Sequence, residues 1–505
     1  MSRTGSSIKN FIWSNASTLL STVLNFVLRT ILIKTLGSTY VGVNSLFTNV
    51  LGMLSLADLG IGTAISFSLY KPLADNDIPK IQALINFYRK AYRIVAMVVF
   101  AIGIVLIPFL PKIAKGSEGV EHLTIIYCIY IFNTVTSYLI TYKSTIISAD
   151  QKAYLITNIN MVVNIIIIVF QIIVLLVWKN YIAYLVTASI IGLIRNIYIN
   201  LYTGKKYPYL KHRNAQRLSK EDKSTIFNKI KALLCHRIGQ VVISQTDSII
   251  TSSIINVTMV GYVANYNMLI NVIKTITSSF FDAMIPSIGN LIVTSDKEYQ
   301  IKTYKNIEFL AFWMNSFTAI CLYFLMTPFV RIWIGDEYVL NYSVIFLLVI
   351  NYYVYISRLP INSMRNASGV FEPDRMSPII ESIINLVISV VFARLIGIEG
   401  IFIGTLISSF VPAIWCPLVV HKYVFKISAK SYFVRQALKL CIFLTAFGLL
   451  SVIFKYIYFE NLFANLILRG VICVVVANAI VVLCYFKTDE FKNAISLGKG
   501  LVKNY

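Results

Sequence analysis

Long apolar segments with few charges recur along the whole chain, separated by short polar stretches. Each is about 20 residues or longer, the length that a helix needs to cross the roughly 30 Å hydrocarbon core of a bilayer. The pattern predicts an all-α polytopic membrane protein with about fourteen transmembrane helices. We expect these helices at about 9–34, 42–70, 91–113, 122–147, 155–178, 181–203, 226–256, 258–290, 304–330, 339–368, 375–396, 398–421, 436–458 and 462–486.

Four of these helices, at about 9–34, 42–70, 226–256 and 258–290, carry polar side chains along one face. The assignment follows from the rotation of about 100° per helical residue. Hydroxyl and amide groups on such a face can simply hold neighbouring helices together. Ionised groups inside a membrane are rare and usually functional, so they indicate a water-filled cavity. The stripes consist of Ser14, Thr18, Ser21, Asn25 and Arg29; Asn44, Thr48, Ser55, Asp58, Gly62 and Ser66; Arg237, Gln240, Ser244, Asp247 and Thr251; and Asn267, Asn271, Lys274, Ser278 and Asp282.

One carboxylate stands out within the apolar run LSLADLGIGTAISFSLY, residues 54–70. A charge at the centre of a membrane helix costs roughly 2.5–3.5 kcal/mol on insertion scales. Asp58 is therefore expected to face the cavity rather than lipid. By contrast, Glu308 and Glu381 lie near predicted cytoplasmic helix ends and are expected to be interfacial anchors. The pair Gly400 and Gly404 is expected to be a close-packing point between helices.

Composition and charge agree with a membrane protein. Of the 505 residues, 57% are hydrophobic and only 13% are charged, against about a quarter charged in soluble domains. The net charge is +23. When charges toward a helix end are counted with the adjoining loop, the predicted topology assigns 33 Lys and Arg to the side of the N-terminus, 8 to the other side and 4 to spans. Because positive loops stay in the cytoplasm, both termini are predicted there, and anionic lipid rather than nucleic acid accounts for the basic charge.

An internal repeat divides the predicted helices into two sets of six. Three pairs of short motifs recur at offsets of 219, 220 and 221 residues, which predicts two six-helix lobes related by pseudo-two-fold symmetry. The expected parts are an N-lobe (1–203), a basic cytoplasmic loop (204–225), a C-lobe (226–421) and a C-terminal helix pair with a cytoplasmic tail (422–505). The motif pairs are Val41-Gly42 with Val260-Gly261, Pro108 with Pro328, and Asn164 with Asn385.

Motifs for catalysis or metal binding are missing from the sequence. The seven cysteines include no CxxC pair, the four histidines form no HExxH, and there is no P-loop or Gly-x-Ser-x-Gly elbow. The sequence therefore predicts neither a catalytic residue nor a metal site nor a cofactor, and it favours a transporter over an enzyme.

The segment TLGSTYVGVNSLFTNVLGMLSLADLGIGTAISFSLYKPLA, residues 35–74, resembles Wzx-type polysaccharide flippases of the multidrug/oligosaccharidyl-lipid/polysaccharide (MOP) exporter superfamily. The resemblance rests on Leu36-Gly37, Val41-Gly42, Asp58-Leu59-Gly60 and Ala64, together with the fourteen-helix layout. It implies that the chain moves undecaprenyl-diphosphate-linked oligosaccharide repeat units across the bacterial cytoplasmic membrane, for capsule, exopolysaccharide or O-antigen assembly. It also implies alternating access between two lobes, coupled to a proton or sodium gradient or to the membrane potential.

The polar stripes supply candidate residues for these roles. Arg29, Arg237 and Lys274 are the candidates for binding the diphosphate or an acidic sugar, because Arg and Lys bind phosphate oxygens. Asn25, Gln240 and Asn271 are added as hydrogen-bonding partners for the glycan. Asp58, Asp247 and Asp282 are the candidates for ion or proton coupling.

The resemblance also implies partners. They are membrane lipids, the lipid-linked oligosaccharide and other membrane proteins of polysaccharide assembly, and the chain is expected to be a monomer. Two alternatives stay open at this point. A multidrug or cation antiporter of the same superfamily is the first, although such antiporters usually have twelve helices and often an acid in the first helix, which is missing here. A membrane-bound polysaccharide polymerase or ligase is the second, although the predicted outside loops are short.

Overall fold

The computed structural model describes residues 3–55, 61–211, 218–457 and 459–503. These residues form helices joined by short turns, and no β-strand occurs among them. The predicted all-α fold is therefore confirmed. The internal contacts divide the chain into two units, Met1–Gly261 and Tyr262–Tyr505.

The first unit contains nine helices and the beginning of a tenth within the described residues. Its helices pack in the order α1, α7, α8, α6, α4 and α3, while α2 packs against α9, α1 and α6. The bounds are α1 (Arg3–Leu36), α2 (Ser38–Leu54), α3 (Ile61–Ala74), α4 (Ile78–Leu106), α5 (Leu110–Ile113), α6 (Leu123–Ile147), α7 (Ala153–Trp178), α8 (Tyr181–Lys206), α9 (Lys220–Ile250) and α10 (Val257–Thr294), the last crossing the boundary between the units.

The second unit is built on α11, which packs against α12, α13 and α17. The two helices α14 and α15 form a close pair, and α12 packs against α15. The bounds are α11 (Lys297–Trp333), α12 (Tyr342–Ser357), α13 (Leu359–Ser368), α14 (Ser377–Ile396), α15 (Ile398–Val420), α16 (Lys430–Tyr456), α17 (Leu462–Tyr485) and α18 (Asp489–Lys503).

Ten segments of the described residues are long and apolar enough to cross a membrane. One of them, Leu123–Trp178, is 56 residues long and contains two predicted spans, separated by the non-helical backbone of Asp150 and Gln151. The ten segments do not include α1, α2, α3 or α9, where the sequence predicts three further spans. The multi-pass membrane architecture is thus established, and the count of fourteen stays a prediction.

The pair α14 and α15 shows why two glycines are needed. A Cβ on Gly400 would overlap the backbone of Phe392, and a Cβ on Gly404 would overlap Ser389. Any side chain at these positions would push the two helices apart. The predicted close-packing role of these glycines is confirmed.

The helix α9 belongs to the first unit because it packs against α2 and α3. Asn49 of α2 donates a hydrogen bond from Nδ2 to Ser248 Oγ of α9, at 2.7 Å. Near the start of α9, Lys80 of α4 forms an ion pair with Asp222 at 3.0 Å. The predicted lobe boundary at 204–225 and the lobe symmetry stay predictions.

Candidate functional site

Four charged or aromatic side chains of the second unit converge inside the predicted membrane region. Lys274 of α10 places its Nζ 3.7 Å from the centroid of the Tyr355 ring of α12. The Arg358 guanidinium carbon lies 5.9 Å from the same centroid. Arg358 Nη1 is 3.4 Å from Glu381 Oε1 of α14. We call Lys274, Tyr355, Arg358 and Glu381 the Tyr355 cluster.

The break between α12 and α13 positions the arginine of this cluster. Arg358 stands between the two helices, and Pro360 follows within the first turn of α13. Proline has no N–H to donate, so the backbone hydrogen-bond ladder is interrupted at this point. Arg358 Nη1 also donates to the Ser409 carbonyl of α15 at 3.1 Å. One guanidinium thus links the α12–α13 junction to α14 and α15.

A second cationic group lies in the first unit, around Arg29 of α1. Its guanidinium lies near Tyr130 of α6 and near Tyr181 and Tyr184 of α8. The Tyr130 hydroxyl donates to Asn44 Oδ1 of α2 and lies 3.2 Å from the Tyr181 hydroxyl. Within the described part of the chain, Arg29 Nη1 is buried and has no hydrogen-bond partner. We call Arg29 and these three tyrosines the Arg29 cluster.

The other predicted site residues are placed as follows. Asn25 is exposed and donates to the Ser21 carbonyl of its own helix at 2.7 Å. On α10, Asn271 and Asp282 are exposed, and on α9 Asp247 is half-buried. Arg237 and Gln240 belong to α9, but their side chains lie outside the described part. Asp58 lies outside the described residues. The structure therefore places Lys274 in the Tyr355 cluster and Arg29 in the Arg29 cluster. The side chains of Asn25, Asn271 and Asp282 are exposed on their helices.

Two repeated motifs of the sequence contact each other within the first unit. Thr39 Oγ1 lies 3.1 Å from Thr258 Oγ1. A Cβ on Gly42 would overlap the Val257 carbonyl, and a Cβ on Gly261 would overlap the Ser38 carbonyl. The contact is reciprocal, because each glycine meets the residue that precedes the threonine of the other motif. We call this contact between 38–42 and 257–261 the Thr-Gly junction.

The model of a known family matches more than half of the chain. It is described as polysaccharide biosynthesis protein, and it matches residues 7–292, which include the Arg29 cluster, the Thr-Gly junction and Lys274. The chain belongs to the polysaccharide biosynthesis protein family. No curated protein matches it.

Solved structures with a similar fold include a lipid flippase and multidrug transporters. The lipid II flippase MurJ in an inward closed conformation has a TM-score of 0.67 at 13% identity, covering 94% of this chain and 99% of that one. A multidrug resistance MATE family transporter in an inward-facing conformation has a TM-score of 0.62 at 15% identity, covering 78% and 92%. A variant of the Vibrio cholerae MATE transporter VcmN has a TM-score of 0.55 at 14% identity, covering 85% and 99%. The family match supports the predicted superfamily, and at these identities the solved structures show the fold alone.

In this member of the polysaccharide biosynthesis protein family, the sequence interpretation missed Tyr355 and Arg358 and treated Glu381 as an interfacial anchor. The structure instead buries Glu381 and pairs it with Arg358. Glu308 is likewise buried: it accepts from Gln436 Nε2 at 2.7 Å and pairs with Lys439 at 3.1 Å. One sequence signal was available, since the arginine in YISRLP directly precedes Leu-Pro inside a predicted span.

Proposed function

We propose that this protein is a flippase that moves undecaprenyl-diphosphate-linked oligosaccharide repeat units across the cytoplasmic membrane for surface polysaccharide assembly. The observation that carries the proposal is the family match, which covers the predicted membrane helices with the cationic side chains Arg29 and Lys274. A lipid-linked diphosphate is an anion that must cross the hydrocarbon core. Cations held within that core lower the cost, because they replace the water that otherwise solvates the phosphates.

The mechanism has three parts. The diphosphate binds cationic side chains, the polar stripes hydrogen-bond the sugars, and the polyprenyl tail stays in the bilayer. The residues proposed for binding are Arg29, Arg237, Lys274, Asn25, Gln240 and Asn271, and those proposed for ion or proton coupling are Asp58, Asp247 and Asp282.

Alternating access gives the Thr-Gly junction a role in this proposal. In the predicted topology, residues 38–42 and 257–261 lie at the outer ends of their helices. Tight backbone contact there closes the outer side without requiring long side chains to interlock. Release of the substrate to the outer leaflet then requires the junction to separate.

The remaining parts of the proposal follow from the predicted topology and the resemblance to flippases. The protein acts without a cofactor or a catalytic residue, as a monomer in the bacterial cytoplasmic membrane with both termini in the cytoplasm. It works beside other membrane proteins of polysaccharide assembly, and a proton or sodium gradient or the membrane potential drives the cycle.

Gene deletion with analysis of lipid intermediates tests the proposal. We expect the deletion strain to lose surface polysaccharide and to accumulate undecaprenyl-linked repeat units on the inner leaflet. The wild-type gene should restore both, and Asp58→Asn should fail to do so at normal membrane levels. Unchanged glycan and unchanged intermediates would refute the proposal, and increased drug sensitivity of the same strain would indicate a multidrug exporter.

A further inference from the structure

The Tyr355 cluster contains two cations that share one aromatic ring, and a carboxylate that pairs with one of them. The Lys274 ammonium, 3.7 Å from the ring centroid, is within the range of a strong cation–π contact, and Arg358 is near the limit of that range at 5.9 Å. Glu381 is the carboxylate that pairs with Arg358. These four side chains together carry a net charge of one positive unit.

The pairing of Arg358 leaves part of its guanidinium uncommitted. An arginine–carboxylate pair is strongest when two parallel N–H groups face the two carboxylate oxygens at about 2.7–2.9 Å. Here one nitrogen, Nη1, serves both Glu381 at 3.4 Å and the Ser409 carbonyl at 3.1 Å. Arg358 Nε is buried and has no hydrogen-bond partner within the described residues. The long, single-point ion pair is weak compared with what a guanidinium can form.

The surroundings favour an incoming anion. The side chains of Arg358 and Glu381 are 15% and 12% exposed, so their charges are poorly screened by water. A partly buried excess positive charge is costly unless an anion accompanies it. An oxyanion with several acceptor oxygens can satisfy the fork of Arg358 and the ammonium of Lys274 at the same time.

We propose that Lys274 and Arg358 form a binding site for an oxyanion of the transported substrate, with Tyr355 as the ring that supports Lys274 and with Glu381 as an internal anion that holds Arg358 until the substrate arrives. The oxyanion is the diphosphate of the lipid carrier or the carboxylate of an acidic sugar. The inference rests on the proposed flippase function and assigns Arg358 and Glu381 to it.

The role of Glu381 separates this site from an ordinary structural ion pair. A carboxylate that competes with the ligand weakens ligand binding, so its neutralisation strengthens binding. A carboxylate that only supports the fold gives the opposite result, because its loss disturbs Arg358. The effects of Arg358→Gln and Glu381→Gln on affinity should therefore have opposite signs.

The test measures binding to the purified full-length protein in lipid nanodiscs. The probes are undecaprenyl diphosphate, undecaprenol as its neutral counterpart, glucuronate and glucose. We expect tight binding of one anionic probe relative to its neutral counterpart. Arg358→Gln and Lys274→Gln should each weaken that binding by about tenfold or more, since each removes a charge-assisted hydrogen bond. Glu381→Gln should strengthen it several-fold, while Arg358→Lys retains part of the affinity.

Matched controls come from the same unit. Arg394→Gln and Glu372→Gln change the same residue types at exposed positions away from the cluster, and neither should alter binding. Thermal unfolding of each variant identifies those that fail to fold. If Arg358→Gln is among them, the binding affinity of Arg358→Lys, which keeps the charge, is measured in its place. A preference for undecaprenyl diphosphate assigns the site to the lipid carrier, whereas a preference for glucuronate assigns it to an acidic sugar.

Two results would overturn the inference. In the first, Glu381→Gln weakens the binding of the anionic probe as Arg358→Gln does. In the second, no cluster variant changes the binding of either anionic probe. Neither result touches the proposed flippase function, which fails only if deletion of the gene leaves surface polysaccharide and lipid-linked intermediates unchanged.

Discussion

The Tyr355 cluster and the Arg29 cluster both place cations among tyrosines, yet their charges are arranged differently. In the Tyr355 cluster, Lys274 lies over the Tyr355 ring, and Arg358 pairs with the carboxylate of Glu381. In the Arg29 cluster, one guanidinium lies among the uncharged rings of Tyr130, Tyr181 and Tyr184. The first cluster therefore contains a charged group that an anionic ligand can displace, whereas the described side chains around Arg29 are neutral.

The two clusters also differ in how firmly the groups around the cation are held. Tyr130 is bonded to Asn44, and Tyr181 stacks on Tyr184 with ring centroids 5.4 Å apart, so the groups around Arg29 are held by one another. Arg358 by contrast is held through one nitrogen, by a 3.4 Å contact with one carboxylate and a 3.1 Å hydrogen bond to the Ser409 carbonyl. We expect substitutions in the Tyr355 cluster to change anion binding, and substitutions of the three tyrosines in the Arg29 cluster to act first on the packing of α1, α2, α6 and α8.

The largest effect on stability is expected when one partner of the ion pair is removed. Arg358→Met leaves the buried carboxylate of Glu381 alone and should lower the free energy of unfolding by about 3 kcal/mol. The double variant Arg358→Met/Glu381→Met should recover most of that loss, because two apolar groups need no partner. Arg29→Met should cost much less, since among the described residues no carboxylate pairs with Arg29 and none is left behind. Equal losses for the single and double variants, measured by unfolding in detergent, would contradict the comparison.

A backbone contact in the first unit offers a way to disturb the Arg29 cluster alone. Gly42→Ala adds a methyl group that overlaps the Val257 carbonyl, so α2 must shift, together with Asn44 and its bond to Tyr130. We expect a loss of about 1–3 kcal/mol in the free energy of unfolding. Gly448→Ala is the control, because a Cβ there meets no atom within 4 Å. Undisturbed stability in Gly42→Ala would show that the Thr-Gly junction is looser than described.

The two clusters should also respond differently to changes in their tyrosines. Tyr130→Phe removes a hydroxyl that bonds Asn44 and should cost about 1 kcal/mol of unfolding free energy. Tyr355→Phe keeps the ring that supports Lys274 and should leave both stability and anion binding near the wild-type values. Tyr355→Leu removes the ring and should weaken anion binding, since the cation–π contact contributes about 1–2 kcal/mol. Identical binding by Tyr355→Phe and Tyr355→Leu would exclude a role for the ring.

The smallest effect on the free energy of unfolding is expected at the ion pair of Lys80 and Asp222, which lies outside both clusters. A hydrogen bond from Lys80, joined by one from Ser219, lowers the pKa of Asp222. The pair therefore stabilises the protein above the ordinary aspartate pKa of about 3.9, and this contribution is lost as the pH falls through the lower pKa of the folded state. The two side chains are 43% and 33% exposed, so Asp222→Asn should cost less than about 1 kcal/mol at pH 7. A loss as large as that of Arg358→Met would remove the contrast between exposed and buried pairs.

Much of the fold could be predicted from the sequence, because apolar length and helical periodicity are local properties. The packing of Gly400 and Gly404 was predicted in the same way. The sequence predicts one span at 339–368, and the structure has one segment of membrane-spanning length there, Tyr342–Ser368. Its division at Arg358 into α12 and α13, with Pro360 at the start of the second, was not predicted. Proline within an apolar run does not by itself end a membrane helix.

The candidate site was only partly predictable. Lys274 was found because it lies on a polar stripe of its own helix. Glu381 was interpreted as an interfacial anchor because it lies near a predicted cytoplasmic helix end, and Arg358 belongs to none of the polar stripes. Their pairing joins two different predicted spans. Periodicity places a side chain on a face of one helix and carries no information about which other helix meets that face.

Transport of a lipid-linked oligosaccharide by the purified protein tests the central claim most directly. The measurement follows the movement of undecaprenyl-diphosphate-linked oligosaccharide across the bilayer of proteoliposomes that contain the wild type, Arg358→Gln or Arg394→Gln. We predict rapid transfer by the wild type and by Arg394→Gln, and transfer at least about tenfold slower by Arg358→Gln, because a charge-assisted contact with the substrate is lost. Transfer by the wild type at the rate of empty liposomes, or equal rates for the wild type and Arg358→Gln, would contradict the account.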